Sequence, residues 1–319
     1  QSMVDVFSSI LDITQEMHKL NMQGFINSRI GLGAAFAFGR YCPPLIGYQL
    51  AQIFAARIAA RQDLSMVRAV RANQWVVSQG SLTSQQLDQR VRDTFKHTSH
   101  CLFDLYHNLQ NPTAMLSRTH WEPVFDQLIA ASQQGKSGMV IVGIHVSNFD
   151  LAMHAATLRG MKAMVLSYPN PGKSYQWQNQ IRMQAGMEII PASPEAVRQA
   201  IKRLQAGEVV ATGIDRPFLA SEYRPRFFGL PAALPVAHVF MALKARVPVV
   251  VVAATTRANG DYDFHASAPV MMQPHPDRET EILQNAESVL RIAEGYIRRA
   301  PHQWAMFYPV WPEVLDELP

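Results

Sequence analysis

The stretch "GMVIVGIHVSNFD", residues 138–150, opens on an unbroken apolar run and stops at polar residues. No polar residue alternates within "GMVIVGI", so a strand here would be covered on both faces, as in a sheet layered between helices. The "FDLAMHAATLRG" that follows has helical spacing and closes on Gly160, a residue that readily takes the left-handed conformation ending a helix. The local reading is therefore a strand feeding a helix.

The same rhythm repeats downstream. "KAMVLSY", "MEIIP", "EVVATGI" and "VPVVVVAA" are further strand candidates, while "YQWQNQIRMQAG" and "PEAVRQAIKRLQAG" are amphipathic and end on Gly186 and Gly207. Such alternation predicts an α/β core over residues 136–319. Residues 1–135 read as helical instead. Leu87, Val91, Phe95, Leu102 and Leu105 fall on one stripe behind a Thr83/Gln86 capping box,. Arg57, Arg61, Arg68 and Arg71 share a face if one helix runs through them, whereas Asp63 or Ser65 would cap a new helix there. With no internal repeat, low-complexity tract or evident linker, the helical region is expected to pack on the core as one compact unit.

Bulk properties narrow the function classes. A chain of 319 residues, 48% hydrophobic, has material for a substantial core and is not a disordered chain. Its formal charge of +4 is too weak to indicate nucleic acid, yet suits an anionic lipid surface or an acidic carrier protein. Cys42 and Cys101 form neither a disulfide framework nor a zinc-ligand spacing, so no metal site is expected,. The charge-free run "YCPPLIGYQLAQIFAA", residues 41–56, is shorter than the roughly 20 residues of a spanning helix and carries a proline pair. It predicts an interfacial helix at most. Gln1-Ser2-Met3 reads as the scar of a protease cleavage site, and no signal peptide is expected after it,.

His145 stands five residues before Asp150. Spacing alone is weak, because eleven histidines and 25 acids in 319 residues give about one chance HxxxxD/E match per chain. The setting carries more weight: the carboxyl end of a strand running into a helix is where open α/β sheets place ligand-binding residues. Asp150, in the first helical turn, would then reach Nδ1 of His145 and leave the other nitrogen facing a cleft. The competing reading is a buried imidazole satisfied by a nearby carboxylate. "GEVVATGIDRP" ends a second apolar run at Asp215 and Arg216, so two strand ends would converge; a structural ion pair between those two residues is the alternative. His154, one turn past Asp150, reads as a packing residue. Other motifs fail. The Gly135-Lys136-Ser137 and Gly172-Lys173-Ser174 triplets have Ala130 and Ser167 where a phosphate loop needs its first glycine, and GxSxG, GxGxxG and HExxH are absent,.

In order along the chain stand "GIHVSNFD", "YPNPGKSYQWQNQIRMQAG", "AIKRLQAGEVVATGIDRP", "FFGLPAALPVAHVFMALKARVPVVVVAA" and "APHQWAMFYPVW". This series resembles the lysophospholipid-acyltransferase-like superfamily, in particular the lipid A late (lauroyl and myristoyl) and phosphatidylinositol mannoside acyltransferases. The resemblance covers most of the chain. It implies a glycerol-phosphate-acyltransferase-like mixed sheet covered by helices, and transfer of an acyl chain from acyl-CoA or acyl carrier protein to a hydroxyl of a membrane lipid or glycolipid. It implies His145 as general base, Asp150 as its orienting acid, and Arg182 and Asp215 as site residues, with no cofactor beyond the thioester substrate. It also implies a peripheral enzyme on the cytoplasmic face of the inner membrane. Where the glycerol-phosphate branch has a Phe-Pro-Glu-Gly block, "GIDRPFLASEYRPRFFG" stands instead, which argues against a glycerol-3-phosphate or lysophosphatidate acceptor.

The residues themselves add three expectations. An imidazole, with an ordinary pKa of about 6.5, is suited to taking a hydroxyl proton at neutral pH. Arg182 would supply an oxyanion donor or hold a phosphate of the carrier or acceptor, with a plain surface-helix arginine as the alternative, and Arg216 stands with Asp215 as a candidate substrate-binding residue. Arg224 and Arg226 beside an exposed Phe227-Phe228 pair would greet lipid headgroups, the alternative being an aromatic plug under a basic loop. A thioesterase using the same histidine and a non-catalytic lipid-binding protein are the rival functions.

Overall fold

The computed structural model describes residues 29–109, 111–169 and 173–319. The Gln1-Ser2-Met3 stretch read as a cleavage scar, with the rest of the first 28 residues of the helical region, and the Asn170-Pro171 pair lie outside the described residues. Four helices lead: α1 (Arg29–Tyr41), α2 (Pro44–Ala59), α3 (Ser65–Val77) and the long α4 (Ser84–Asn108). The capping box forms, with Thr83 Oγ1 accepting from Gln86 N and the Gln86 side chain accepting from Thr83 N. Leu87, Val91, Phe95 and Leu105 are buried as expected, but Leu102 is exposed. The reason is a change of surroundings. In its last turns α4 buries Cys101, Phe103, Asp104, Leu105 and Tyr106 between α1, α2 and the sheet, leaving the side of Leu102 to solvent. The arginine face also dissolves, because the chain breaks between Ala59 and Ser65. Neither Asp63 nor Ser65 caps the new helix: its N-cap is Leu64 without a side-chain bond, and Asp63 pairs with Arg61.

After α5 (Pro112–Ser117) the α/β core is built from β1 (Thr119–Trp121), α6 (Val124–Gln134), β2 (Met139–Gly143), α7 (Phe149–Leu158), β3 (Met164–Ser167), α8 (Lys173–Gln184) and β4 (Glu188–Pro191). It continues through α9 (Pro194–Gln205), β5 (Val209–Gly213), a hairpin of β6 (Arg226–Phe227) and β7 (Leu230–Pro231), α10 (Ala237–Ala245), β8 (Val249–Thr256), β9 (Tyr262–Ala266) and α11 (Arg278–Arg299). Seven strands form one mixed sheet in the order β1-β9-β8-β2-β5-β3-β4, antiparallel only between β8 and β9. The apolar run of β2 lies at its centre with Met139 to Val142 all buried. Gly138 is required where it enters. A Cβ there would come within 2.1 Å of the Leu204 carbonyl oxygen at the end of α9.

Two cores flank the sheet. One gathers Val140, Val142, Val210, Val249 and Val251 against α9, α10, α11 and the indoles of Trp304 and Trp311. The other joins Ile141, Val209 and Val250 to Leu151, Phe125, Cys101 and Leu105, so the end of α4 shares a core with the sheet. Adjacent strand residues point to opposite faces, which is why runs without polar alternation were needed.

Candidate active site

Gly143 and Gly213, the last residues of β2 and β5, face each other in register. Two residues beyond each stand His145 and Asp215. The register therefore places them side by side at the carboxyl rim of the sheet. Nδ1 of His145 lies 2.7 Å from Asp215 Oδ1, and the backbone N–H of His145 donates to Asp215 Oδ2 at 2.8 Å. The indole Nε1–H of Trp304 donates to the same Oδ2 at 2.8 Å. Asp215 is fully buried while His145 keeps a partly open side chain. Burial alone would push the Asp215 carboxyl up. The adjoining imidazole, the two His145 hydrogen bonds and the Trp304 indole outweigh it and hold the group below its ordinary value. An ionised acceptor at Nδ1 fixes the proton on that nitrogen and leaves Nε2 with its lone pair.

The pairing expected from spacing is thus corrected. Asp150 does not hold His145; its Oδ1 accepts from Nε of Arg182 at 2.7 Å. In α7 the carboxylate points toward α8, where Arg182 is buried and also donates to Asn179 Oδ1 at 2.9 Å. Burial works against the Arg182 charge, but Asp150 overcomes it and raises the guanidinium above its usual value. Arg182 is accordingly a buried partner of Asp150 lining the site, not a surface-helix residue. His154 is buried one turn on, and desolvation holds it below its ordinary value.

The turn carrying His145 is strapped by three contacts to one stretch of the C-terminal segment, residues 303–305. Ala305 N donates to the His145 carbonyl at 2.8 Å, Ser147 N to the Gln303 carbonyl at 2.7 Å, and Val146 bridges Trp304. Ser147 takes a positive φ of 54° to make the corner, and its hydroxyl meets Thr256 Oγ1 at 2.6 Å. Asn148 then caps α7, accepting from Leu151 N while donating to the Cys101 carbonyl and to Tyr262 Oη. Tyr262 donates in turn to the buried Asp104 of α4 at 2.6 Å. The closing "APHQWAMFYPVW" segment, one of the stretches that carry the family resemblance, runs alongside this turn. It supplies the Trp304 indole to Asp215 and the Gln303 backbone carbonyl to the loop, while the Gln303 side chain bonds the backbone of Thr256 on β8.

His145 lines a cavity of about 1530 Å³, larger than the roughly 300–1000 Å³ of ordinary small-molecule sites. Its floor is one face of the sheet, where Ile141, Gly143, Val165, Ala211 and Val252 align by register, and its roof includes Phe149, Ala152, Met153 and Ala156 of α7. The lining is mostly apolar. Gly143 leaves the floor open: a Cβ built there meets nothing within 4 Å. Arg216 also lines the cavity, turned away from Asp215 and stacked on tyrosines, so those neighbours are not the ion pair entertained from the sequence. Arg224 and Arg226 are exposed and outside the cavity; Arg226 donates to the Gly229 carbonyl, and its backbone N–H to Glu287. The exposed Phe pair is likewise corrected. Phe227 and Phe228 are buried, packing on Trp304 and Trp311 as a plug under the basic hairpin.

Among the described residues, no group of three or more His, Cys, Asp or Glu side chains is placed to hold a metal ion, and no helix is long and apolar enough to cross a membrane. With this geometry in view, comparison with known families gives a direct result. The profile described as bacterial lipid A biosynthesis acyltransferase matches residues 125–313, from the start of α6 to beyond Trp311. The chain belongs to this family. It is therefore an acyltransferase of lipid biosynthesis, and the His145–Asp215 rim, the Asp150–Arg182 pair and the cavity lining apart from Trp121 lie within the matched span. A search of curated protein sequences returns no match.

Proposed function

We propose that this acyltransferase moves a fatty acyl chain from the thioester of acyl-CoA or acyl carrier protein to a hydroxyl of a membrane lipid or glycolipid, with His145 as general base. The observation that carries the reading is the free Nε2 of His145 on the wall of a large, mostly apolar cavity, its other nitrogen held by a buried carboxylate. In the reaction Nε2 takes the acceptor hydroxyl proton as the oxygen attacks the thioester carbonyl carbon. The imidazolium so formed is stabilised by Asp215. Collapse of the tetrahedral intermediate breaks the C–S bond, and the proton passes from Nε2 to the departing thiolate. Asp215 acts as the acid does beside the histidine of a serine-protease triad, with the acceptor hydroxyl in place of the serine. No acyl-enzyme is needed. The acyl chain occupies the cavity between α7 and the sheet.

Asp150 serves differently from the role expected of it. It neutralises Arg182 and ties α8 to α7, holding Arg182 in the cavity lining. The enzyme works as a peripheral protein on the cytoplasmic face of the inner membrane. Exposed Ile30, Tyr41, Leu45, Ile46, Ile53 and Phe54 of α1 and α2, with Arg40 and Arg57 among them, support that placement, because an apolar face with a basic fringe suits an anionic bilayer surface.

The test is incubation of the full chain with palmitoyl-CoA or palmitoyl carrier protein, with and without a bacterial glycolipid extract. Acceptor-dependent appearance of acylated lipid is expected, and His145→Ala should lower it by about 10²- to 10⁴-fold with the fold intact by circular dichroism. Release of free acid at the same rate whether or not the extract is present would make water the acceptor and defeat the proposal.

A further inference from the structure

Arg216 sits in an unusual position. Its guanidinium carbon lies 4.1 Å from the ring centroid of Tyr168 and 4.2 Å from that of Tyr308, with Tyr175 at 5.2 Å. These rings come from three separate places: the end of β3, the C-terminal segment and α8. Ring faces attract a cation but offer no in-plane acceptor, so a stacked guanidinium keeps its N–H donors at its edge. Among the described residues, no carboxylate lies within ion-pair distance of Arg216. Asp215 is turned inward to His145 and Trp304, and Glu222, which lines the same cavity, does not pair with it. The other arginines of the lining are neutralised, Arg182 by Asp150 and Arg203 by Glu188. The cavity that His145 lines thus holds a pre-positioned, uncompensated forked donor one residue from the dyad.

We propose that the Arg216 clamp is a receptor for a phosphate ester carried by a substrate, docking it beside the reacting hydroxyl and thioester. This deepens the acyl-transfer reading and rests on it. Phosphate geometry matches a guanidinium fork with two parallel hydrogen bonds, and stacking fixes the fork before binding, so little side-chain freedom remains to be lost. Two sources carry this chemistry: the phosphates next to the pantetheine of the donor, and the headgroup of the acceptor lipid.

The experiment measures equilibrium binding of three probes to the full chain: S-hexadecyl-CoA, S-hexadecyl-pantetheine, which lacks the phosphates, and hexadecyl phosphate below its micelle concentration. Arg216→Gln should weaken at least one phosphate-bearing probe by about 10- to 100-fold, leave hexadecyl-pantetheine unchanged, and be partly rescued by Arg216→Lys. Tyr308→Leu, which loosens the clamp and keeps the charge, should give a smaller loss on the same probe. A loss confined to the CoA probe assigns the donor phosphates, and one confined to hexadecyl phosphate assigns the acceptor. Equal losses for charged and neutral probes, or none for any, would overturn the clamp while leaving the cavity reading standing. Failure of every probe to bind the wild-type chain would overturn both.

Discussion

The imidazole of His145 is held by Asp215, 70 residues away in sequence, and not by Asp150 five residues on. The cause is strand register. Gly143 pairs with Gly213, so the second residue past each strand end meets its counterpart. Asp150 begins a helix whose first turn faces α8, and it finds Arg182.

These two acids should therefore respond differently to neutralisation. Asp215→Asn removes the charge that fixes the tautomer and stabilises the imidazolium. It should lower kcat by about 10²-fold or more with little change in KM. Asp150→Asn leaves the imidazole contact in place but strands a buried guanidinium, a change worth about 3–5 kcal/mol of stability. Urea denaturation together with steady-state kinetics separates the two. If Asp150→Asn were fully stable and as inactive as Asp215→Asn, the division of labour drawn here would be wrong.

Trp304 is predicted to act on the dyad through its indole N–H. Trp304→Phe keeps an aromatic ring in the core but removes one of the two donors to Asp215 Oδ2. An unmade hydrogen bond to a buried charged group costs about 1–3 kcal/mol. Part of this should appear as a fall in kcat with KM held, because the carboxylate loses the contact that keeps Oδ1 directed at the ring. Loss of stability with unchanged kcat would reduce Trp304 to a packing residue.

Much of this was legible in the sequence, for identifiable reasons. Runs such as "GMVIVGI" and "VPVVVVAA" have no polar alternation, and only a sheet covered on both faces accommodates that. The strand ends carrying His145 and Asp215 were visible as apolar runs stopping at polar residues. What spacing does not encode is which strands are neighbours. β5 inserts between β2 and β3, so Asp215 and not the nearer Asp150 meets the histidine. The strap by Gln303 and Trp304 is equally long-range, and no local pattern announces it. The Phe227-Phe228 pair misled because adjacent apolar residues beside arginines look alike whether they face a core or a membrane.

His238 links pH to stability. It is buried in α10, and desolvation lowers its pKa to about 4. The unfolded chain, with an ordinary histidine near 6.5, binds the proton more readily, so stability falls as pH drops below about 6.5 and levels off near the folded value. Between pH 7 and 5 this one residue should account for on the order of 2 kcal/mol. Urea unfolding at the two pH values, for the wild-type chain and His238→Asn, measures it. The variant should show a smaller loss between them by about that amount, and an identical loss would remove His238 as the cause.

The sheet floor of the cavity sets its depth at Gly143. A Cβ there meets no atom within 4 Å, its backbone is not in the left-handed region, and the residue ends a strand. Gly143→Val should therefore fold without strain, since a β-branched residue suits the strand, and its methyl groups should project into the acyl space. The expected result is a shift of acyl preference toward shorter chains, read as the ratio of kcat/KM for palmitoyl and lauroyl donors falling by about 10- to 200-fold, the range that a methylene or more of misfit produces in an apolar pocket. Thermal stability should stay within about 1 kcal/mol of wild type. An unchanged chain-length ratio in a folded, active variant would place the acyl chain elsewhere, because a side chain standing on the floor next to His145 cannot be invisible to a ligand lying on that floor.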